Sequence, residues 1–501
     1  MVVIDTEALI LSLGMLLSWD IPLFCIAGLI LGIILGVIPG ISGIIGLAIM
    51  IAPSYFFEPI QAILFLSGIF TGSCYGGGLT AILLNIPGQP SSLVTSQDGY
   101  PLTKQGRQNE ALGVGLISSA IGCFSGYFVI LFILAPLGRF VLKFGPAEML
   151  ALFCFALTIV GAVGGNIRKA LLVGLFGVLL ATIGATPHGR PRGIYNLWVL
   201  YEGIPLEPVL IGLLTTSEIP FLLKREFVVQ QVGKAQRDFH SIIRGMVLAL
   251  REWPTILRST FIGIGIGILP AAGATIASVI SYGQARRASK HPERFGHGEV
   301  AGVVAAEIAN NSSEPGSMAT MMCLGIPGGA ATAILMAAFV VHGMNPGPYL
   351  IRDSLHFAYA LILGNFLQAL FLVGLGLVFI FYLGRIVFIQ TKVLIPIIVA
   401  ASFLGILSLR GQVIDLCVAV IFGVLGYLMK RYDYPLLAFI IGFILGGKVE
   451  EEFIRTKLLF SGQYYNLLQR PIFMAFLFIT IGSLVIPYIR RYVKDNKKMK
   501  K

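Results

Sequence analysis

Two stretches of this chain, Gly36 to Tyr100 and Gly267 to Tyr349, are apolar runs that proline and glycine each cut twice. In the first, Val37-Ile38-Pro39-Gly40 is followed by Asn85-Ile86-Pro87-Gly88. In the second, Ile268-Leu269-Pro270-Ala271-Ala272-Gly273 is followed by Gly325-Ile326-Pro327-Gly328. Proline inside a helix removes a backbone donor and clashes with the preceding turn, and glycine permits the positive dihedrals of a reversal. Each cut therefore frees carbonyls on one side and amides on the other. Inside a bilayer such groups persist only where they line a cavity or bind something. Interruptions at corresponding places in two halves point to a transporter binding site.

Composition places these runs in a membrane. Of 501 residues, 56% are hydrophobic and 12% charged, and the mean hydropathy of +0.88 leaves too little polar surface for a soluble globule of this size. Apolar runs of about 18 or more residues recur, each long enough to cross roughly 30 Å of hydrocarbon as a helix. The alternation of a transmembrane barrel is absent. The net charge of +12 resides in short loops and in a C-terminal cluster from Arg490 to Lys501. That placement is the positive-inside signature, and no nucleic-acid partner is expected. The six cysteines lie in apolar segments without metal spacing and read as buried thiols. No HExxH, GxSxG or Walker A pattern occurs, so enzyme activity has no support.

Loop charge sets the expected organisation. No basic residue precedes Lys104, which places the N-terminus outside and makes 21–53 a re-entrant hairpin turning at Pro39-Gly40. A broken span, 60–98, crosses inward to a cytoplasmic loop containing Lys104 and Arg107. Spans near 111–135, 147–165, 170–186 and 206–222 complete a first repeat, 1–223. Residues 224–258 read as a basic amphipathic linker helix on the cytoplasmic surface. The second repeat, 259–447, holds a hairpin at 259–285 entered from the cytoplasm, a broken span at 298–341 crossing outward, and spans near 356–382, 393–409, 413–429 and 434–447. An external segment, a last span and a basic cytoplasmic tail fill 448–501. Arg139, Lys143, Arg190 and Arg192 fall outside in this scheme and count against it. The halves align at Pro39 with Pro270, Pro87 with Pro327, Phe176 with Phe422, and Gly212 with Gly442. The expected fold is an all-α polytopic membrane protein of about 11 spans plus two re-entrant hairpins, built from two inverted repeats.

The residues after each break are small or hydroxyl-bearing: Gly40 and Ser42, Gly88 with Ser91 and Ser92, Gly273 and Thr275, and Gly328 with Gly329 and Thr332. A half-helix N-terminus offers unpaired amides and about half a positive charge, which suits an anion. These positions are the candidate substrate site, and carboxylates the favoured class. Carbonyls on the opposite sides, at Ile86 and Ile326, together with Asn85, Asn310 and Asn311, suit Na+. The competing reading is that Gly32, Gly36 and Gly40, at GxxxG spacing, only let helices pack closely. Four breaks in matched positions favour a site. Glu307 and Glu314 flank Asn310-Asn311-Ser312-Ser313, where a carboxylate is expensive; a proton or cation role and a hydrogen-bonded structural role are both open. His291, His297 and Glu299 share a basic loop with Arg294 and read as solvated rather than as metal ligands.

At these motifs the chain resembles the large membrane subunit of the tripartite tricarboxylate transporters, the TctA family. The resemblance is carried by Gly36 to Gly40, Tyr75-Gly-Gly-Gly-Leu-Thr-Ala-Ile-Leu-Leu-Asn-Ile-Pro-Gly-Gln-Pro-Ser-Ser92, Asp98-Gly-Tyr-Pro101, Ala306-Glu-Ile-Ala-Asn-Asn311 and Leu324-Gly-Ile-Pro-Gly328. It implies solute uptake across the bacterial inner membrane driven by Na+ or H+, with a small membrane subunit and a periplasmic solute-binding protein as partners and no cofactor. Gln89 stands where the family often has Glu, and Ser312-Ser313-Glu314-Pro315 where it has small apolar residues, so citrate is not assumed as the substrate. A non-transporting scaffold or binding subunit, and a membrane enzyme acting on a lipid carrier, are the alternatives.

Overall fold

The computed structural model describes residues 5–38, 43–163, 167–186, 189–223, 238–270, 272–386 and 411–482, with short pieces between 395 and 407. These residues are helical apart from loops and a two-residue hairpin pairing Gly184–Ala185 with Pro191–Arg192. Among the described residues, four helices are long and apolar enough to cross a membrane, or five if the pair Thr6–Leu16 and Ile21–Val37, bent by 77°, forms one span.

The first break-containing stretch folds as α1 (Thr6–Leu16), α2 (Ile21–Val37), α3 (Gly43–Ser54), α4 (Pro59–Leu84), α5 (Ser96–Lys104) and α6 (Gln108–Val141). It continues into α7 (Pro146–Val163), α8 (Ile167–Ala181), α9 (Leu206–Leu214) and α10 (Ile219–Leu222). The second begins with α11 (Phe239–Arg251) and α12 (Trp253–Ile268), followed by α13 (Gly273–Ala288), α14 (Val300–Leu324), α15 (Ala330–Val341), α16 (Pro348–Asp353) and α17 (Leu355–Ile386). Then come α18 (Val413–Arg431), α19 (Leu436–Phe460) and α20 (Pro471–Gly482).

Glycine rows decide which helices meet. Gly28, Gly32 and Gly36 recur every fourth residue on α2, as do Gly68, Gly72 and Gly76 on α4. A Cβ on Gly32 would stand 2.4 Å from the Ile69 carbonyl oxygen, and one on Gly72 2.5 Å from that of Leu29. Backbones at this separation exclude any side chain, the small-xxx-small mode of membrane helix packing. The packing reading of the glycines is thus realised on α2. The α12–α14 pair repeats the arrangement: Gly267 lies against the Ser313 carbonyl and Gly316 against that of Ile264. The central pair, α4 and α14, is almost wholly buried, and α6 packs against α14 as α17 packs against α4.

Outside this core α8 packs on α19 and α9 on α18, again through glycine: a Cβ on Gly442 would meet the Gly174 carbonyl at 2.1 Å, and one on Gly212 that of Ala419 at 2.4 Å. This group touches the core through α3 and α15, the helices that follow breaks.

Several boundaries differ from expectation. The linker helix within the described residues is α11, and the helix expected to begin at 259 begins at Trp253, since Pro254 at the first turn starts a new helix. Residues 224–237 of the linker lie outside the described residues. Ile242 and Gly245 of α11 pack against the first turns of α6, with Gly245 on the Glu110 carbonyl. α19 runs past 447, where a span was expected to stop, to Phe460, because Lys448, Glu450, Glu451, Glu452 and Arg455 are good helix formers and no proline or glycine interrupts the turn. Cys154 and Cys417 are exposed on helix faces, unlike the other four cysteines.

Candidate functional site

The four breaks are built from two kinds of chain reversal. α4 ends at Asn85 (φ 57°) and α14 at Gly325 (φ 67°), both in the left-handed region that closes a helix. Asparagine is among the few side chains that accept this conformation, so Asn85 has a backbone reason to be there. Its side chain is exposed, as is that of Ile86, whereas Ile326 is buried. α2 ends at Ile38 and α12 at Leu269, both extended. Gly40 and Ser42 lie outside the described residues. Gly273 has φ 67° and opens α13, with Thr275 half-buried in its first turn.

Gly88 and Gly328, expected to supply positive dihedrals, supply close approach instead. A Cβ on Gly88 would stand 2.1 Å from the Gly36 carbonyl oxygen and 2.7 Å from Gly77 Cα; one on Gly328 would stand 2.7 Å from the Gly267 carbonyl oxygen. In each half the second break is thus folded onto the last turn before the first break. After Gly328, Gly329 is extended and Thr332 caps α15: its Oγ1 accepts from the Gly329 amide (2.9 Å) and donates to the Gly329 carbonyl (3.0 Å). After Gly88 no full half-helix begins. Pro90–Leu93 forms a single 3-10 turn carrying buried Ser91 and Ser92, and α5 starts at Ser96. Pro90 fixes a turn there, but the polar run Gln97 to Glu110 has no apolar stripe to extend it.

Gly76, Gly77 and Gly78 point in three directions from α4 and organise the surroundings. Gly76 faces the Ile33 carbonyl of α2, Gly77 faces Gln89 and Ser92 of the break, and Gly78 faces the Glu307 carboxylate, which a Cβ would approach to 2.7 Å. Glu307 is 1% exposed. Thr95 Oγ1 donates to its Oε1 (2.6 Å), and Ser119 Oγ (2.8 Å) and Asn311 Nδ2 (3.4 Å) donate to Oε2. Two turns along the same face of α14, Glu314 is equally buried. It accepts from Thr71 Oγ1 of α4 (2.9 Å) and Tyr127 Oη of α6 (3.1 Å). Both carboxylates are held by neutral donors alone.

Between them Asn310 is fully buried, and neither its Oδ1 nor its Nδ2 has a hydrogen-bond partner among the described residues. The same holds for Asn311 Oδ1 and Ser92 Oγ. Ala306, one turn before Asn310, packs in a cluster with Val94 of the first break segment. The structure therefore brings Ser92, Thr95, Glu307, Asn310 and Asn311 to one buried region between α4, α6 and α14. Among the described residues no hydrogen bond joins Asn85 to Asn310 or Asn311. Thr71, Thr95, Ser119 and Tyr127 were not singled out from sequence; the only signal was the density of hydroxyls on otherwise apolar helices. A cavity of about 220 Å³ lies apart from this region, lined by Leu324, Asn345, Tyr349, Lys448 and Arg455 at the C-terminal end of α14.

Comparison with known proteins agrees with the motifs. The sequence pattern of the Tripartite tricarboxylate transporter TctA family matches residues 23–441. An uncharacterized 52.8 kDa protein in the TAR-I ttuC' 3' region of Agrobacterium vitis is 32% identical over 476 residues, 92% of each chain. An uncharacterized protein in the TAR-II ttuC' 3' region of the same organism is 29% identical over 221 residues, 44% of this chain and 91% of that one. No solved structure matches.

Proposed function

We propose, because the chain belongs to the tripartite tricarboxylate transporter TctA family, that it is the permease subunit through which a small di- or tricarboxylate-like anion crosses the bacterial inner membrane. A periplasmic solute-binding protein delivers the anion, a small membrane subunit completes the assembly, and the C-terminus faces the cytoplasm.

The observation that carries this reading is the unfilled hydrogen-bonding capacity of Ser92, Asn310 and Asn311 in a fully buried region beside a break. Such groups are costly unless something pairs with them, and in a transporter that something is cargo. Gly88, Ser91, Ser92, Gly273, Thr275, Gly328, Gly329 and Thr332 contribute amides and hydroxyls around the anion. Asn310, Asn311 and the break carbonyls favour a Na+ ion nearby. Glu307 and Glu314 lack a basic partner in their hydrogen bonds, so each calls for a proton or a cation at this depth. A repeat relation between the halves is supported by the matched contacts of Gly88 with Gly36 and of Gly328 with Gly267, and by the reciprocal pairs Gly212–Ala419 and Gly442–Gly174; its inversion rests on loop charge. Transport then proceeds by movement of the break-containing core against the group formed by α8, α9, α18 and α19.

Purified protein reconstituted with its small subunit and binding protein is expected to accumulate labelled carboxylate when an inward Na+ or proton gradient is imposed. Asn310→Ala is expected to raise the ion concentration for half-maximal uptake more than the substrate concentration. Folded protein that moves none of a panel of di- and tricarboxylates under either gradient would leave a scaffold role as the better account.

A further inference from the structure

Asp98, in the segment after the first-half break, is fully buried, yet it lies in the most polar part of that segment. All four of its hydrogen bonds reach the other half of the chain. Its Oδ1 accepts from the backbone amides of Gly296 (2.8 Å), Gly298 (2.9 Å) and Glu299 (2.9 Å), and its Oδ2 accepts from Tyr282 Oη of α13 (2.8 Å). The loop is shaped for this. Gly296 and Gly298 have φ of 88° and 100°, which turn successive amides toward one point, and Glu299 is the residue from which α14 starts. The carboxylate thus sits at the positive end of a 25-residue helix. Gly302 in the first turn of α14 completes the seat, since a Cβ there would come within 2.0 Å of Asp98 Oδ2. A further tie runs from Gln105 Nε2 to the His297 carbonyl (2.8 Å).

The corresponding junction in the other half, between α3 and α15, has no counterpart. Neither helix carries an acid, and its polar contact is Ser54 Oγ with His342 Nε2 at 3.4 Å. The molecule is therefore fastened unequally at its two ends. The fastened end carries Lys104, Arg107, Arg286, Arg287, Lys290 and Arg294, the cluster that marks a cytoplasmic face.

We propose that Asp98 is a positioning residue that closes the cytoplasmic side: its carboxylate holds the segment after the first break onto the start of α14, and the buried region opens to the cytoplasm when it lets go. This rests on the transport reading above. The same segment carries Ser92 and, through Thr95, touches Glu307, so release of Asp98 moves groups that line the proposed site. Hydrogen bonds to a charged acceptor are stronger than those between neutral groups, and removing the acceptor leaves three amides unpaired.

The test is segment-resolved hydrogen–deuterium exchange on the full chain in nanodiscs, comparing wild type with Asp98→Ala, Asp98→Asn and Tyr282→Phe. Asp98→Ala is expected to raise amide exchange about tenfold or more in 90–105 and 289–302 while leaving 343–352 and the α8–α19 pair at wild-type rates. Asp98→Asn, which keeps an acceptor for the amides, restores part of the protection, and Tyr282→Phe gives a smaller rise. In proteoliposomes the Ala variant is expected to leak labelled carboxylate without an ion gradient at several times the wild-type rate. Unchanged exchange in 90–105, or a uniform rise over the whole chain, overturns the proposal. The exchange readout needs no transport, so a wild type that moves no carboxylate refutes the transport reading and leaves the latch itself to stand or fall separately.

Discussion

One missing side chain decides the geometry at Gly88. The atoms nearest a Cβ there are the Gly36 carbonyl oxygen and Gly77 Cα, both backbone, so nothing can rotate away. Gly88→Ala is expected to destabilise the core by about 1 to 3 kcal/mol, the usual cost of overpacking, and to lower both thermal stability and uptake. Gly329→Ala is the control for thermal stability alone, because no atom lies within 4 Å of a Cβ there and the backbone is extended. Equal melting temperatures for the two variants would refute the packing account. That Gly88 matters was legible in the Pro-Gly pattern, but its reason was not. The pattern shows that a helix is interrupted without showing which residue takes the positive φ. That residue is Asn85 in one half and Gly325 in the other, three positions earlier. The role of Asp98 was hidden for a related reason, since three of its four partners are backbone amides some 200 residues away that leave no mark on side-chain chemistry.

α14 shows how one element gathers these effects. Its N-terminus receives the carboxylate of Asp98, and its C-terminus lies beside the ammonium of Lys448, whose Nζ donates to the Pro346 carbonyl (3.3 Å) and stands 3.1 Å from where a Gly325 Cβ would be. Each charge complements the pole of the helix it meets. Helix positions were legible because apolar runs and Pro-Gly punctuation mark them, and the breaks fall within a residue or two of expectation. The continuation of α19 through Lys448 was not, because a charged residue reads as the end of a span unless a helix terminus elsewhere is known to receive it. Burial pushes Lys448 down to about 8, with Glu451 opposing. Below that pH both folded and unfolded chains hold the proton. Between about 8 and 10.4, the ordinary lysine value, the unfolded chain binds more protons, so stability rises with pH in that window. Melting curves at about pH 7.5 to 9.5 are expected to show this rise in wild type and to lose it in Lys448→Met. Glu451, Glu452, Arg455 and Tyr349 line the same cavity, and comparison with the variant separates their contribution from that of Lys448. Parallel curves for both proteins would rule the lysine out as the source.

At the scale of the whole molecule the open question is which ends face the same solution. α5 and the loop before α14 are joined by Asp98, so they share a side whatever that side is. α14 then rises for 25 residues, about 37 Å at 1.5 Å per residue, which exceeds the roughly 30 Å hydrocarbon thickness. On the proposed topology α14 crosses the membrane, which puts the loop from Gly343 to Gly347, fastened at its far end by the Gly347 amide donating to the Met322 carbonyl, at the opposite surface. Basic residues cluster around the first surface, and the loop between His342 and Tyr349 carries none of its own, although Lys448 and Arg455 line the cavity beside Asn345. The proposed orientation, which rests on positive-inside bias, puts the Asp98 side in the cytoplasm and the Asn345 side outside. Cysteines introduced singly at Ser289 and Asn345 are expected to react with a membrane-impermeant maleimide from opposite faces, the first only in inverted vesicles and the second only in intact cells. Reaction of both from one face would contradict the crossing of α14, and with it the inverted arrangement. Reaction from opposite faces in the reversed order would keep the fold and instead make Asp98 an outer latch, closing the path by which the anion enters.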